Sequence, residues 1–185
     1  MPTKEPGPAI GFIETSSIAK GVEAVDAMLK RASVDLLLTT IVPRGKYLIM
    51  VGGMVADVEA SLAAGREMAG ASLLDDFLIQ NADPQLPAAI KGRVAVPNVG
   101  AVGLIETKEV ASAIFAGDAA VKAAAVTLIE ARNQPGGKGL VVLTGDVAAV
   151  EAAVAAGVAT VKKEGMLIAR VVIPAAHASL KPALL

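Results

Sequence analysis

Several residue types that build particular kinds of site are missing or scarce in this sequence. Its 185 residues include no cysteine and no tryptophan, a single tyrosine, three phenylalanines and one histidine. Without cysteine the chain cannot form disulfides, thiolate metal sites or cysteine-ligated iron–sulfur clusters. The net charge of −1 and an aromatic content of 2% leave no basic surface interleaved with aromatic rings, so nucleic acid is not an expected partner.

Signals for catalysis, membrane insertion and export are missing as well. The sequence contains no glycine-rich nucleotide-binding motif, zinc-protease motif or nucleophile elbow, and its one histidine lacks a catalytic pattern around it, so no enzyme activity is expected. The apolar run Val147–Val161 is interrupted by Glu151 and has helical periodicity, which favours a packed helix over a membrane span. Residues 1–8 lack an apolar signal core and are expected to form a short flexible tail.

The strongest pattern that is present is a duplication with an offset of 92 residues. Ala9–Thr15 returns almost unchanged as Ala101–Thr107, and roughly 26 of the 61 positions from Ala9 to Ala69 match the residue 92 positions later. Only two long copies exist, so each copy is a domain rather than a solenoid repeat. The sequence therefore predicts two domains, 9–91 and 101–185, joined by a linker at 92–100.

Each copy alternates strand and helix periodicity in the order βαββαβ, with a short helix after the fourth strand. This order predicts an α+β, ferredoxin-like domain with one antiparallel sheet and both helices on one of its faces. In the first helix, apolar residues recur at steps of four and three, and this stripe is predicted to be the buried face. The stripe consists of Ile18, Val22, Val25, Leu29 and Ala32.

The hydrophobic content of the chain is high for two domains of this size. Hydrophobic residues make up 54% of the sequence, and the mean hydropathy is +0.61. Small domains bury a modest fraction of their surface, and a sheet with helices on one face needs a partner for the other. The composition therefore predicts that much of the surface is covered in an assembly.

Dispersed motifs in both copies carry a specific resemblance. They are Gly-x-Ile-Glu-Thr in the first strand, Asp-Ala-x-x-Lys in the first helix, a Gly-Lys turn between the second and third strands, and Gly145-Asp146-Val147 at the last helix. With these motifs the chain resembles bacterial microcompartment shell proteins, and its two copies resemble the tandem-domain, trimer-forming BMC-T class. The unpermuted order of elements and the ending Val172–His177 are most similar to members from propanediol-utilisation microcompartments.

This resemblance implies a structural shell protein in the microcompartment shell, within the cytoplasm, whose partners are itself and other shell proteins. A homotrimer of such chains would be a pseudohexamer with a central pore for small metabolites. The alternative function is a PII-like trimeric regulator that binds a small ligand, since those proteins also build trimers from ferredoxin-like folds. They need a long mobile loop between strands two and three, however, and that connection is only a few residues long here.

The turns between strands two and three are the candidate pore residues. On sequence alone, proline and glycine there make tight turns; in the resembled family, the corresponding loops converge on the symmetry axis and line the pore. If Arg44 faces inward, three guanidinium groups alternate with three glycine turns and favour small anions. The candidates are Val42, Pro43, Arg44, Gly45 and Lys46 in the first copy and Gln134, Pro135, Gly136, Gly137 and Lys138 in the second.

Some members of the resembled class carry a cysteine in the first of these loops, and three of them hold an iron–sulfur cluster on the axis. The matching position here is Pro43, or Val42 if the turn is shifted by one residue. Neither side chain can ligate a metal, so no cofactor and no metal are expected.

Three side chains are candidates for lateral assembly: Lys30, Lys122 and His177. On sequence alone, a lysine at the end of a helix is a solvated residue favoured by the helix dipole. In the resembled family this lysine lies at the oligomer edge and reaches backbone carbonyls of its neighbour. The family's edge motif ends Pro-Arg-Pro-His, whereas Pro174–His177 lacks the arginine; His177 is still assigned a structural or edge role.

Two carboxylates also recur at one place in both copies. Glu14 and Glu106 end equivalent strands. Because no catalytic pattern surrounds them, an ion pair or a backbone contact at a domain interface is the expected role.

Overall fold

The chain folds into two compact units that meet in sequence between Ala82 and Asp83. The computed structural model describes residues 9–161 and 165–180. The predicted tail at 1–8 lies outside these described residues. Within them, no helix is both long and apolar enough to cross a membrane.

The first unit has the predicted βαββαβ order. Its strands pair antiparallel in the order β2-β3-β1-β4, which confirms the ferredoxin-like arrangement. A single turn of 3₁₀ helix at Gly70–Ser72 leads into β4. The elements are β1 (Ala9–Thr15), α1 (Ile18–Arg31), β2 (Asp35–Val42), β3 (Lys46–Gly53), α2 (Val55–Ala69) and β4 (Leu73–Ile79).

The second unit repeats this order after an additional short helix. Its sheet has the antiparallel order β6-β7-β5-β8. The elements are α3 (Leu86–Lys91), β5 (Ala101–Thr107), α4 (Val110–Ala123), β6 (Val126–Gln134), β7 (Lys138–Gly145), α5 (Val147–Thr160) and β8 (Leu167–Ile173), followed by a 3₁₀ turn at Ala178–Leu180.

Strand register gives the correspondence between the two copies residue by residue. Ile10 lies opposite Ile79, and its counterpart Val102 lies opposite Ile173. Equivalent residues of the two copies are therefore 92 positions apart from the first strand to the start of the last helix of each copy. In the last strand of each copy, and after it, they are 94 positions apart. The second copy has two extra residues between the start of α5 and β8.

Glycine in the second helix of each copy lets the helix approach the sheet closely. A Cβ on Gly65 would lie 2.5 Å from Ile13 Cδ1, and one on Gly157 would lie 2.6 Å from Ile105 Cδ1. The Cβ on Gly157 would also lie 2.7 Å from the Ala116 carbonyl oxygen, which is backbone, so this position requires glycine; at Gly65 the contacted atoms belong to side chains, which would have to move aside. The core of the first unit surrounds this approach and includes Ile13, Met28 and Leu62.

Helix α1 does not bury the face that its apolar stripe predicts. Gly21, Ala24 and Met28 are its buried residues, whereas Val22 is 52% exposed and Leu29 is 39% exposed. The small side chains of Gly21 and Ala24 allow the helix to pack closely on its neighbours, which places the larger stripe on the outside. The predicted buried face is therefore wrong for the single chain.

Helix α4, the counterpart of α1, is buried on most of its surface, including Val110, Ile114 and Val121. Helix α3 packs against α4 and β6, with Leu86 fully buried. The sequence assigned the α3 residues to the first domain, but their packing lies in the second unit, so the domain boundaries remain a prediction. The predicted linker also packs, since Val96 lies against the second sheet.

Candidate pore turns and assembly residues

The turn between β2 and β3 is only three residues long. Pro43, Arg44 and Gly45 are exposed at its tip, between the last residue of one strand and the first of the next. Arg44 has φ +72° and Gly45 has φ +71°. Among the described residues, Arg44 is the one residue other than glycine with a positive φ.

The turn between β6 and β7 has the same length and the same backbone bend. Gly136 has φ +87° and Gly137 has φ +76°, and the Gly137 N–H donates to the Gln134 carbonyl at 3.0 Å. Arg44 thus stands where the second copy has Gly136. A left-handed backbone costs an L-residue about 1 kcal/mol, so the arginine side chain is retained at a position that glycine would fill more easily.

A lysine ends each turn and pairs with a carboxylate of the central strand. Lys46 Nζ lies 3.0 Å from Glu14 Oε1, with side chains 7% and 0% exposed. Lys138 Nζ lies 2.6 Å from Glu106 Oε1, with side chains 42% and 31% exposed. The expected ion pairs of both glutamates are thus present, one buried and one open to solvent.

Burial narrows the set of residues that could line an opening. Val42 is 1% exposed and Lys46 is 6% exposed, and Gly137 is also buried. The sequence included all three among the pore residues, but packing and the Glu14 ion pair hold them inside the chain. The exposed tips are Pro43–Gly45 and Pro135–Gly136.

The second copy holds a buried polar network that the sequence did not predict. Glu130 is fully buried and accepts from Arg93 Nε at 3.1 Å, Arg132 Nε at 3.3 Å and Gln134 Nε2 at 2.6 Å. The predicted pore residue Gln134 is therefore held against Glu130. The matching position in the first copy is Leu38, so the duplication gives no signal for this site. The signal in the sequence is the alternation of Glu130, Arg132 and Gln134 along β6.

The two candidate edge lysines make the same pair in different surroundings. Lys30 Nζ lies 2.6 Å from Asp26 Oδ2, with side chains 74% and 62% exposed. Lys122 Nζ pairs with Asp118 Oδ2, and the Asp118 side chain is 5% exposed. Both lysines close a salt bridge one helical turn long at the end of the first helix of their copy.

His177 is in a turn that also occurs after the first copy. Its Nδ1 accepts from the Ser179 N–H at 3.2 Å, and its carbonyl accepts from the Leu180 N–H at 2.9 Å. Asp83 makes the equivalent bonds, through Oδ1 to the Gln85 N–H at 2.9 Å and through its carbonyl to the Leu86 N–H at 3.0 Å. His177 therefore corresponds to Asp83, as the offset of 94 requires.

In residues 9–161 and 165–180, no group of three or more histidine, cysteine, aspartate or glutamate residues is placed to hold a metal ion. The sequence matches Pro43, or Val42 if the turn is shifted by one residue, to the cysteine that some members of the resembled class carry, and Pro43 is at the exposed tip of the first turn. A pyrrolidine ring offers no donor atom to a metal. The first turn therefore presents one cation, Arg44, and no ligand.

Comparisons with known proteins agree on one family. The BMC domain model matches the chain twice, at residues 9–82 and 101–176. The bacterial microcompartment shell protein PduT of Citrobacter freundii is 42% identical over 174 residues, covering 93% of this chain and 95% of that protein. A microcompartment protein from Desulfitobacterium hafniense DCB, known from its crystal structure, is 48% identical with a TM-score of 0.82, covering 94% of this chain and 98% of that one. The fused permuted shell protein MSM0275 of the RMM microcompartment, at 22% identity and a TM-score of 0.63 over 82% of this chain and 79% of that one, shares the fold.

Proposed function

The chain belongs to the BMC-domain family and is a bacterial microcompartment shell protein, and from this premise we propose that three copies close into a pseudohexagonal tile with a central pore. The resemblance stated from the sequence is confirmed, and the chain is a structural component of the microcompartment shell rather than an enzyme. The PII-like alternative is not favoured, because the family match covers both copies and the turns between strands two and three have three residues each.

The duplication supports the trimer. Two domains of one fold in each chain supply six similar units when three chains associate, and cyclic closure of a repeated contact is the common route to such rings. The high mean hydropathy of +0.61 is consistent with extensive contacts between chains. Other shell proteins are then neighbours of the tile at its outer edges.

The observation that carries the pore proposal is the pair of turns at matched positions. Both are short, exposed at their tips and bent by left-handed residues, and they differ by one charge. A ring built from them alternates three Arg44 side chains with three Gly136 positions. This arrangement gives the opening a positive potential that favours small anionic metabolites, while Pro43 leaves the axis without a cluster ligand.

Lateral contacts between tiles are assigned to Lys30 and Lys122. A lysine stem lying along a flat seam covers apolar surface while its ammonium group satisfies carbonyls across the seam. Their salt bridges to aspartates on the same helix hold both side chains near the helix ends. We assign His177 to an interface as well.

The mass of the purified protein tests the tile directly. Light scattering is expected to give about 56 kDa, three times the chain mass of 18.6 kDa, and electron microscopy of concentrated protein should show hexagonal tiles or sheets. Absorbance after anaerobic reconstitution with iron and sulfide should show no cluster. A stable monomer at high concentration contradicts the tile, and a stoichiometric cluster contradicts the assignment of Pro43.

A further inference from the structure

The outer face of the first copy is apolar and open, while the same face of the second copy is covered. We use the name α1–β2 surface for Ile18, Val22, Asp26, Leu29 and Leu36. Its four apolar side chains are 36%, 52%, 39% and 44% exposed. Their counterparts on α4 and β6 are 0%, 0%, 8% and 1% exposed, namely Val110, Ile114, Val121 and Leu128.

The segment after β4 shows how this kind of surface is covered. The Asp83 N–H donates to Asp118 Oδ1 at 2.8 Å. The Gln85 side chain accepts from the Leu128 N–H at 2.9 Å and donates to the Val126 carbonyl at 3.4 Å. Leu86 follows and is fully buried. A capped turn with one buried leucine thus fixes the segment to the end of α4 and the start of β6.

The segment after β8 has the same turn, but among residues 9–161 and 165–180 no surface covers its leucine as α4 and β6 cover Leu86. The turn His177–Leu180 repeats both backbone-capping bonds of Asp83–Leu86. Leu180, the counterpart of the buried Leu86, is 38% exposed. The chain therefore ends its described part with an unoccupied copy of the docking turn, and it begins with an unoccupied copy of the receiving surface.

We propose that the His177–Leu180 turn of one chain docks on the α1–β2 surface of a second copy of this chain. The inference rests on the proposed trimer and supplies its contact. Leu180 of one chain covers the partner's Val22, Leu29 and Leu36. The backbone N–H of His177 donates to Oδ1 of the partner's Asp26. Since turn and surface are different parts of the chain, the contact is head-to-tail, and three such contacts close a ring.

The aspartate of the surface is already arranged for this contact. In the second copy Asp118 uses Oδ2 for Lys122 and Oδ1 for the Asp83 N–H. Asp26 likewise uses Oδ2 for Lys30, at 2.6 Å, and its Oδ1 corresponds to the acceptor atom of Asp118. Because Lys30 occupies only Oδ2, Oδ1 of Asp26 can accept from the neighbouring turn with or without the lysine.

One difference between the two turns sets the strength of the contact. Ser179 stands where Gln85 bridges two backbone groups of the adjoining strand. A serine side chain is too short to reach both groups, so the contact between chains has fewer polar bonds than its counterpart. The burial of Leu180 then contributes most of its stability.

Cysteine pairs test the geometry, because the natural chain has no cysteine. The double variant Asp26→Cys with His177→Cys should give covalent dimers and trimers on a non-reducing gel after oxidation or treatment with a short thiol crosslinker. The matched control is Met54→Cys with His177→Cys, since Met54 is 55% exposed and lies outside the surface. It should give at most a trace of crosslinked product, as should each single variant.

A second variant removes the apolar part of the contact. Leu180→Asp should convert the trimer into monomers by light scattering, while Met54→Asp leaves the trimer intact; circular dichroism should be unchanged in both because both residues are exposed in the single chain. Two results together overturn this inference: Leu180→Asp remains a trimer, and Asp26→Cys with His177→Cys gives no crosslinked product. They leave the proposed tile standing. A natural protein that never exceeds the mass of a monomer overturns the tile itself.

Discussion

The two copies share one fold, yet they differ in which of their surfaces are covered by other residues of the same chain. The outer face of α4 and β6 is covered within the chain, with Ile114 0% exposed, whereas Val22 at the same place on α1 is 52% exposed. A repeated fold in one chain allows each copy to keep the backbone and change its side chains independently. The comparison shows that identical topology does not imply identical roles in an assembly.

The turns and their ion pairs differ in the same way. The first copy has Arg44 at the tip and a buried pair beneath it, and the second has Gly136 at the tip and a pair open to solvent. Three variants test whether these differences matter.

The largest expected effect is the loss of lateral assembly in Lys30→Asp with Lys122→Asp. Both lysines end the first helix of their copy, and aspartates there place like charges opposite each other at the seam. Each seam contact is weak, but an interior tile has six seams, so the losses combine. Electron microscopy should show no sheets, while light scattering still gives the trimer.

Lys20→Asp with Lys108→Asp is the matched control for this change, because it also reverses one charge in each copy. Lys20, which pairs with Glu23, and Lys108 are both exposed, and reversing their charges should leave sheets intact. Sheets that survive Lys30→Asp with Lys122→Asp would remove the edge assignment, and sheets lost equally in the control would show that net charge alone is responsible.

The second effect is on stability and separates the buried pair from the exposed one. Lys46→Met leaves the fully buried carboxylate of Glu14 without its lysine, and the free energy of unfolding should fall by about 3 kcal/mol. Lys138→Met removes an ion pair that solvent already screens, so the free energy of unfolding should fall by only about 0.5 kcal/mol. Denaturant unfolding at one protein concentration measures both.

Replacing both partners sharpens this test. Lys46→Met combined with Glu14→Leu should recover part of the loss, since an apolar pair of similar volume removes the buried carboxylate together with its lysine. Equal losses in Lys46→Met and Lys138→Met would mean that burial does not distinguish the two pairs.

The smallest effect concerns the tips of the turns. Arg44→Gly relieves a left-handed backbone at a non-glycine residue and should stabilise the chain by about 1 kcal/mol. The same change should lower the preference for anions over cations in single-channel recordings of the pore. A selectivity that does not change would place Arg44 away from the opening, whatever its effect on stability.

The sequence predicted the topology because strand and helix periods and the duplication are local patterns. It failed at α1 because an amphipathic stripe records that a face is buried, but not whether its own chain or another molecule buries it. Val22 and Leu29 are exposed in the single chain and would follow the rule if the proposed neighbouring chain covers them. The Lys46–Glu14 pair joins residues 32 positions apart, so it depends on strand register. In the Glu130 network, only the bond from Arg93 spans a long separation, 37 positions, and it depends on how the segment before β5 packs.

The burial of the Lys46–Glu14 pair also bears on how stiff the first turn is. The ion pair fixes the start of β3, and proline restricts the chain on the other side of Arg44. The second turn has two consecutive glycines and a solvated ion pair, so its backbone is less restrained. We expect larger thermal motion of the backbone at Gly136 than at Arg44. In the proposed trimer, the width of the opening would then fluctuate at the three glycine turns, while the backbone that carries each Arg44 stays in place.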